Sequence, residues 1–178
     1  MLDIGQALDS FVNGMMQFLA QTANDPVMYS IVFFVYAVLA AIILPIPVEV
    51  GLLLSPHTPI IWLVILLGLG KMLGSILVFY LGLGVGEKVR GWSVRWAWFD
   101  WFLKRCEWLV SRLHYMGLYI LLSIPLMSDT VPLYIFSILN DEGVFNVQFF
   151  ALTNLLAGFS RAMILFLLLH LFGVDLFH

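Results

Sequence analysis

The amino-acid sequence predicts an all-α integral membrane protein built from two inverted repeats. Each repeat is read as a proline-broken re-entrant hairpin plus a transmembrane helix, and a cytoplasmic amphipathic helix joins them. Three observations lead there. Apolar residues make up 62% of the 178 and charged residues only 11%, against roughly 25% charged in a soluble domain. A chain this short exposes too much surface to keep so many apolar side chains from water. Four apolar segments, 27–55, 59–86, 115–139 and 145–173, are each long enough to match the ~20 residues that cross a ~30 Å hydrocarbon core. Finally, prolines and charges recur at matched places in the two halves.

The length admits one membrane domain over 1–178. Its first element is residues 1–25. Ile4, Leu8, Phe11, Met15, Phe18 and Leu19 recur at helical spacing with Asp3, Asp9, Asn13 and Gln17 between them, the pattern of an amphipathic helix at a membrane surface. No basic stretch precedes an apolar run here, so a cleaved signal peptide is not expected. Asn24-Asp25-Pro26 ends this helix and starts the next.

The first repeat, 27–86, pairs a broken segment with an ordinary span. Pro45 and Pro47 fall inside the segment 27–55, and an interior proline removes a backbone hydrogen bond and clashes with the preceding turn. Broken backbone at membrane depth persists only where protein covers it or where it lines a wet cavity. The segment is therefore read as a re-entrant hairpin. His57 lies among prolines at the turn that follows and is read as an interfacial residue rather than a catalyst.

Residues 87–113 form the linker. Positions 92, 96, 99, 103, 106, 110 and 113 make an apolar stripe at helical spacing, opposite Asp100, Lys104, Glu107 and Ser111. Five of the six tryptophans and six of the eight cations (Lys88, Arg90, Arg95, Lys104, Arg105 and Arg112) are here. That composition suits a helix in the headgroup region, and the positive-inside rule places it in the cytoplasm. The aromatic residues serve the membrane, so nucleic acid is not an expected partner. The second repeat, 115–173, starts near His114; Pro125 and Pro132 break its first segment and 145–173 is its span.

The halves align on their costly residues. Pro45 and Glu49 match Pro125 and Asp129, each a proline followed four residues later by an acid, and Lys71 matches Arg161. The extra length of the second half is placed at the polar turn Asn140-Asp141-Glu142-Gly143. One charge at the centre of a spanning helix costs ~2.5–3.5 kcal/mol on insertion scales, so four left unpaired would cost on the order of 10 kcal/mol. Glu49, Lys71, Asp129 and Arg161 are therefore expected to converge on one polar site enclosed by both halves. The alternative is two separate pairs, Glu49 with Lys71 and Asp129 with Arg161. Broken helices, inverted halves and charges at the midplane together are the signature of a secondary transporter.

Leu44-Pro45-Ile46-Pro47-Val48-Glu49 resembles the P-x-P-S-E signature of the DedA family, also called the VTT or SNARE-associated superfamily. Gly70-Lys71-Met72-Leu73-Gly74, continuing to Tyr80-Leu81-Gly82 and Gly86, resembles the glycine-rich span that follows it there. Ile124-Pro125 through Pro132 has the spacing of that family's second motif, F-I-P-G-x-R-x-x-x-P. The likeness covers roughly 35–173. Val48 replaces the serine of the first motif, and Leu122 and Ser128 stand where the bacterial family has two arginines, so this would be a divergent member. The resemblance implies facing re-entrant hairpins and movement of phospholipids or polyprenyl-phosphate carriers, in some members coupled to protons; Glu49 matches the family's membrane acid.

The leading expectation is a flippase or scramblase of an anionic lipid or polyprenyl-phosphate carrier in the cell membrane. Lys71 and Arg161 would neutralise the phosphate, while Glu49 and Asp129 carry protons or balance the cations. Partners are then membrane lipids, with an anionic headgroup or a small ion as substrate, and a homo-oligomer is compatible. Alternatives are a proton- or cation-coupled transporter of a small solute and a non-transporting membrane scaffold. No cofactor or metal is expected: Cys106 is the only cysteine and the four histidines are scattered. Nor is an enzyme, because no nucleophile, base and orienting group fall together.

Overall fold

The structure, a computed structural model, describes residues 4–43, 48–54, 57–93, 97–125, 127–140 and 145–172. Among them the chain is all helical, with no strand. Helix α1 spans Ile4–Thr22 and α2 spans Pro26–Ile42. Between them, the Asp25 carboxylate accepts from the Val27 and Met28 amides at 3.0 and 3.2 Å, with Pro26 opening the helix. Both features satisfy or remove amide donors that the first turn leaves without partners. Helix α2 ends at Ile42, and Pro45 and Pro47 lie outside the described residues. A short 3-10 turn, Val48–Leu52, carries Glu49.

Helix α3 runs over Ile60–Ser93 and α4 over Ala97–Ser123. The linker's expected end at 113 coincides with the non-helical His114, while its expected start at 87 falls inside α3. The linker is shared between the end of α3 and the start of α4, and α4 continues into the third apolar segment. His114 marks the change of direction within α4, with φ 45° and ψ −133°, a backbone that residues other than glycine rarely adopt. Of the linker's stripe only Leu113 has a described side chain, and it is exposed.

After Ser123 the helix breaks at Pro125 and resumes as α5, Thr130–Ile138. Pro132 is buried in the first turn of α5. A missing amide there removes no intrahelical bond, so Pro132 does not interrupt a helix and the break belongs to Pro125. Of the polar turn proposed for the extra length, Asp141, Glu142 and Gly143 lie outside the described residues. Helix α6, Val147–Leu171, is capped by Asn146, whose side chain accepts from the Gln148 amide at 2.9 Å.

The direction of each helix follows from its neighbours. Gly70 of α3 lies against Ala37 and Gly74 against Ala41, so α2 and α3 run parallel. A Cβ on either glycine would stand 2.7 or 2.6 Å from that alanine's Cβ, so only glycine permits this approach. Parallel neighbours require the chain to return between them. The turn at Val48–Leu52 lies on that return, where the Tyr29 hydroxyl donates to the Gly51 carbonyl. The second half repeats the plan. Tyr115 of α4 meets Asn146 and Tyr119 meets Ser160, so this part of α4 is parallel to α6, and α5 returns with Phe136 beside Gly117. Helices α3 and α6 are antiparallel: Asn154 bonds the Lys71 carbonyl while Gly68 lies under Phe159.

Two apolar clusters result. One joins Leu19, Tyr29, Phe33, Tyr36, Val48, Leu52, Leu63 and Leu67. The other joins Val78, Phe79, Leu118, Leu122, Leu133, Phe136, Phe145 and Phe150. Part of the α1 stripe has a protein partner: Leu19 is fully buried and Met15 packs on the first cluster, while Phe11 and Phe18 are exposed. The outer faces are also apolar. Leu69, Leu73, Leu77 and Leu81 on α3, and Leu152, Leu156, Met163, Leu167 and Leu171 on α6, are exposed. Two helical stretches, Ile60–Gly84 and Val147–Leu171, are long and apolar enough to cross a membrane by length and composition.

Candidate functional site

Four ionisable side chains meet in the interior. Glu49 comes from the short turn, Lys71 from the middle of α3, Asp129 from the start of α5 and Arg161 from α6. Their exposures are 0, 0, 4 and 1%. Lys71 Nζ lies 3.3 Å from Glu49 Oε1 and 2.9 Å from Asp129 Oδ2. Arg161 Nη1 lies 2.5 Å from Asp129 Oδ1 and 3.2 Å from Glu49 Oε1. Each cation therefore touches both acids. The pairs within each half form, and so do those between halves, which makes a closed ring of two positive and two negative charges. Isolated charges do not persist in such burial; here each has two opposite neighbours.

Local structure prepares the ring. Gly158 faces the Lys71 stem, and a Cβ there would lie 3.3 Å from Lys71 Cδ. Asn154 Nδ2 donates to the Lys71 carbonyl at 2.8 Å, tying α6 to α3 at this level. Asp129 is the N-cap residue of α5 but makes no capping bond, because its two oxygens face the two cations. Arg161 does more than neutralise it. Its Nε donates to the Ile124 carbonyl at 2.7 Å and its Nη2 donates to the Met127 carbonyl. These bonds hold the backbone where Pro125 interrupts the helix, and Arg161 serves there as a cap supplied from another element.

The two acids are not held alike. Asp129 uses both oxygens. Glu49 uses one oxygen for both cations, and its Oε2 is buried without a hydrogen-bond partner. The Tyr36 hydroxyl, in a fully buried side chain, is also without a partner, as are Ser128 Oγ and Asn154 Oδ1. Unsatisfied buried polar atoms are uncommon and each calls for a reason.

Other predicted residues are distributed as follows. Leu122, where the resembled motif has an arginine, is part of the second apolar cluster, and Ser128 adjoins Asp129. Ser75, Ser123 and Thr153 bond carbonyls of their own helices, while Thr130 reaches across to the Ala40 carbonyl at 3.1 Å. His57 and His114 are exposed. Among the described residues no group of three or more His, Cys, Asp or Glu side chains is placed to hold a metal ion. Sequence reasoning singled out neither Tyr36 nor the carbonyls of Ile124 and Met127. Tyr36 reads as one more aromatic of an apolar helix, and nothing in a sequence marks a carbonyl as needing a guanidinium. No family model, curated protein or solved structure matches the chain.

Proposed function

We propose that the chain is a multi-pass membrane protein, a divergent relative of the DedA proteins, whose halves form an inverted repeat around a path for an anionic headgroup. A phospholipid or a polyprenyl-phosphate carrier would cross at the ring of Glu49, Lys71, Asp129 and Arg161. The observation that carries the reading is the inverted distribution of polarity. Four charges are buried between the halves while leucines cover the outer faces of α3 and α6. A large exposed apolar face needs a solvent other than water, and a charge inside a membrane segment is by default functional. Supporting the repeat are the parallel pairs α2–α3 and α4–α6, each with a returning segment between, and the antiparallel α3–α6 contact.

Within that path Lys71 and Arg161 offer the positive charge that a phosphate needs, and the acids keep the empty site neutral. Purified protein in liposomes, assayed for flipping of fluorescent phosphatidylglycerol, tests the reading. Acceleration that is lost in Lys71→Gln supports it; uptake of a soluble anion without lipid movement favours the small-solute transporter instead. The self-paired ring also suits a scaffold in which the charges only set how the halves pack. In that case neither assay responds, and Lys71→Gln alters stability alone.

A further inference from the structure

The ring as it stands is neutral and closed, so an incoming anion must compete with an acid already on the cations. Resting on the anionic-headgroup reading, we propose that the acid displaced is Glu49, and that the vacated site is matched to a phosphate of single negative charge, a phosphodiester.

Three observations separate Glu49 from Asp129. The first is contact geometry. Asp129 gives one oxygen to each cation, at 2.5 and 2.9 Å, whereas Glu49 reaches both with one oxygen at 3.2 and 3.3 Å. Attraction between opposite charges falls with distance, so the Glu49 contacts are the weaker set by separation, although the hydrogen bond of Lys71 is to Glu49 and it meets Asp129 as an ion pair. The second is the unpartnered Glu49 Oε2, buried together with the unpartnered hydroxyl of Tyr36, which packs in one cluster with the neighbouring Val48. That side of the ring has polar atoms awaiting a partner. The third is anchoring. Arg161 binds Asp129 while its other nitrogens hold the Ile124 and Met127 carbonyls, so Asp129 faces a guanidinium that is itself fixed in place. Glu49 rides on a turn of five residues.

Charge counting then fixes the ligand class. With Glu49 turned away, Lys71, Arg161 and Asp129 sum to +1. A phosphodiester carries one negative charge and restores neutrality. A phosphomonoester carries about −1.5 to −2 near pH 7 and would need Asp129 to leave as well, which Arg161 opposes. Asp129 and Arg161 accordingly form the fixed wall of the site, Lys71 the cation that exchanges partners, and Glu49 an internal stand-in for the substrate.

The test measures binding of fluorescent phosphatidylglycerol and of fluorescent phosphatidic acid, a monoester, to the purified protein in micelles. Glu49→Gln removes the competitor and leaves the site at +1. It is expected to bind phosphatidylglycerol at least about tenfold more tightly than the native chain, the scale of one charge-assisted contact, while Asp129→Asn does not tighten. Phosphatidic acid is expected to bind more weakly than phosphatidylglycerol to both. Equal or weaker phosphatidylglycerol binding by Glu49→Gln, tightening by Asp129→Asn instead, or a preference for the monoester overturns the assignment. If neither the native chain nor Glu49→Gln binds any anionic lipid, the functional reading itself fails. A second measurement guards against misfolded variants. In a Cys106→Ser background, labelling of Val50→Cys is expected to speed up severalfold when phosphatidylglycerol is added, with no change at Ser128→Cys. An unchanged Val50→Cys rate, with lipid bound, contradicts displacement of the Glu49 turn.

Discussion

Replacing Lys71 with methionine removes one positive charge from a buried site. The stem beside Gly158 is kept at similar length, so the change is chiefly electrostatic. Two carboxylates then face a single guanidinium and the ring carries −1. Removing one partner of a buried ion pair typically destabilises by about 3–5 kcal/mol, because the uncompensated charge remains buried. Adding Glu49→Gln returns the count to zero. The double variant is therefore expected to be more stable than Lys71→Met alone, with a favourable coupling of about 1–3 kcal/mol, within the range found for residues in one network. Unfolding in mixed micelles by titration with SDS, followed by far-UV circular dichroism, measures all four corners of the cycle. A double variant destabilised by the sum of the two single changes would refute the closed ring, because independent sites add.

Arg161→Lys keeps the charge but cannot also hold the Ile124 and Met127 carbonyls, so it is expected to destabilise by roughly 2–4 kcal/mol in the same SDS titration; a loss within error of zero argues against the capping role. Gly74→Val is expected to cost about 1–3 kcal/mol or more by forcing α2 from α3, while Gly14→Ala, where nothing lies within 4 Å, is neutral or stabilising by about 0.5–1 kcal/mol. Equal unfolding curves for the two glycine variants would dismiss the close α2–α3 contact. A single cysteine at Ser111, in a Cys106→Ser chain, is expected to react with an impermeant reagent only from the cytoplasmic side; reaction from the outside alone would invert the topology.

Much of the arrangement was legible because its features are expensive. Asp25-Pro26 and Pro125 state their helix ends in the sequence, and four charges among leucines announce that partners must exist. Less legible was how continuous the middle of the chain is. Residues 87–113 look like a separate amphipathic piece, and its end does fall at the turn of His114, but α3 runs on to Ser93 because no proline stops it at 87. Pro132 misled for the opposite reason: a proline marks a break only in a helix interior, and its place in a first turn depends on where Asp129 starts α5. The unequal grip on the two acids was also out of reach. Spacing pairs Glu49 with Asp129, but which has both oxygens engaged depends on what Arg161 finds nearby, namely two carbonyls freed by the break at Pro125.

The most direct test of the central claim is the rate of phosphatidylglycerol translocation per folded molecule in liposomes, compared between the native chain and Glu49→Gln. If the ring is a substrate site that must reclose after each passage, the native chain accelerates translocation and Glu49→Gln, correctly folded and lipid-bound, does not. Equal rates for the two, or no acceleration by the native chain over empty liposomes, would contradict it.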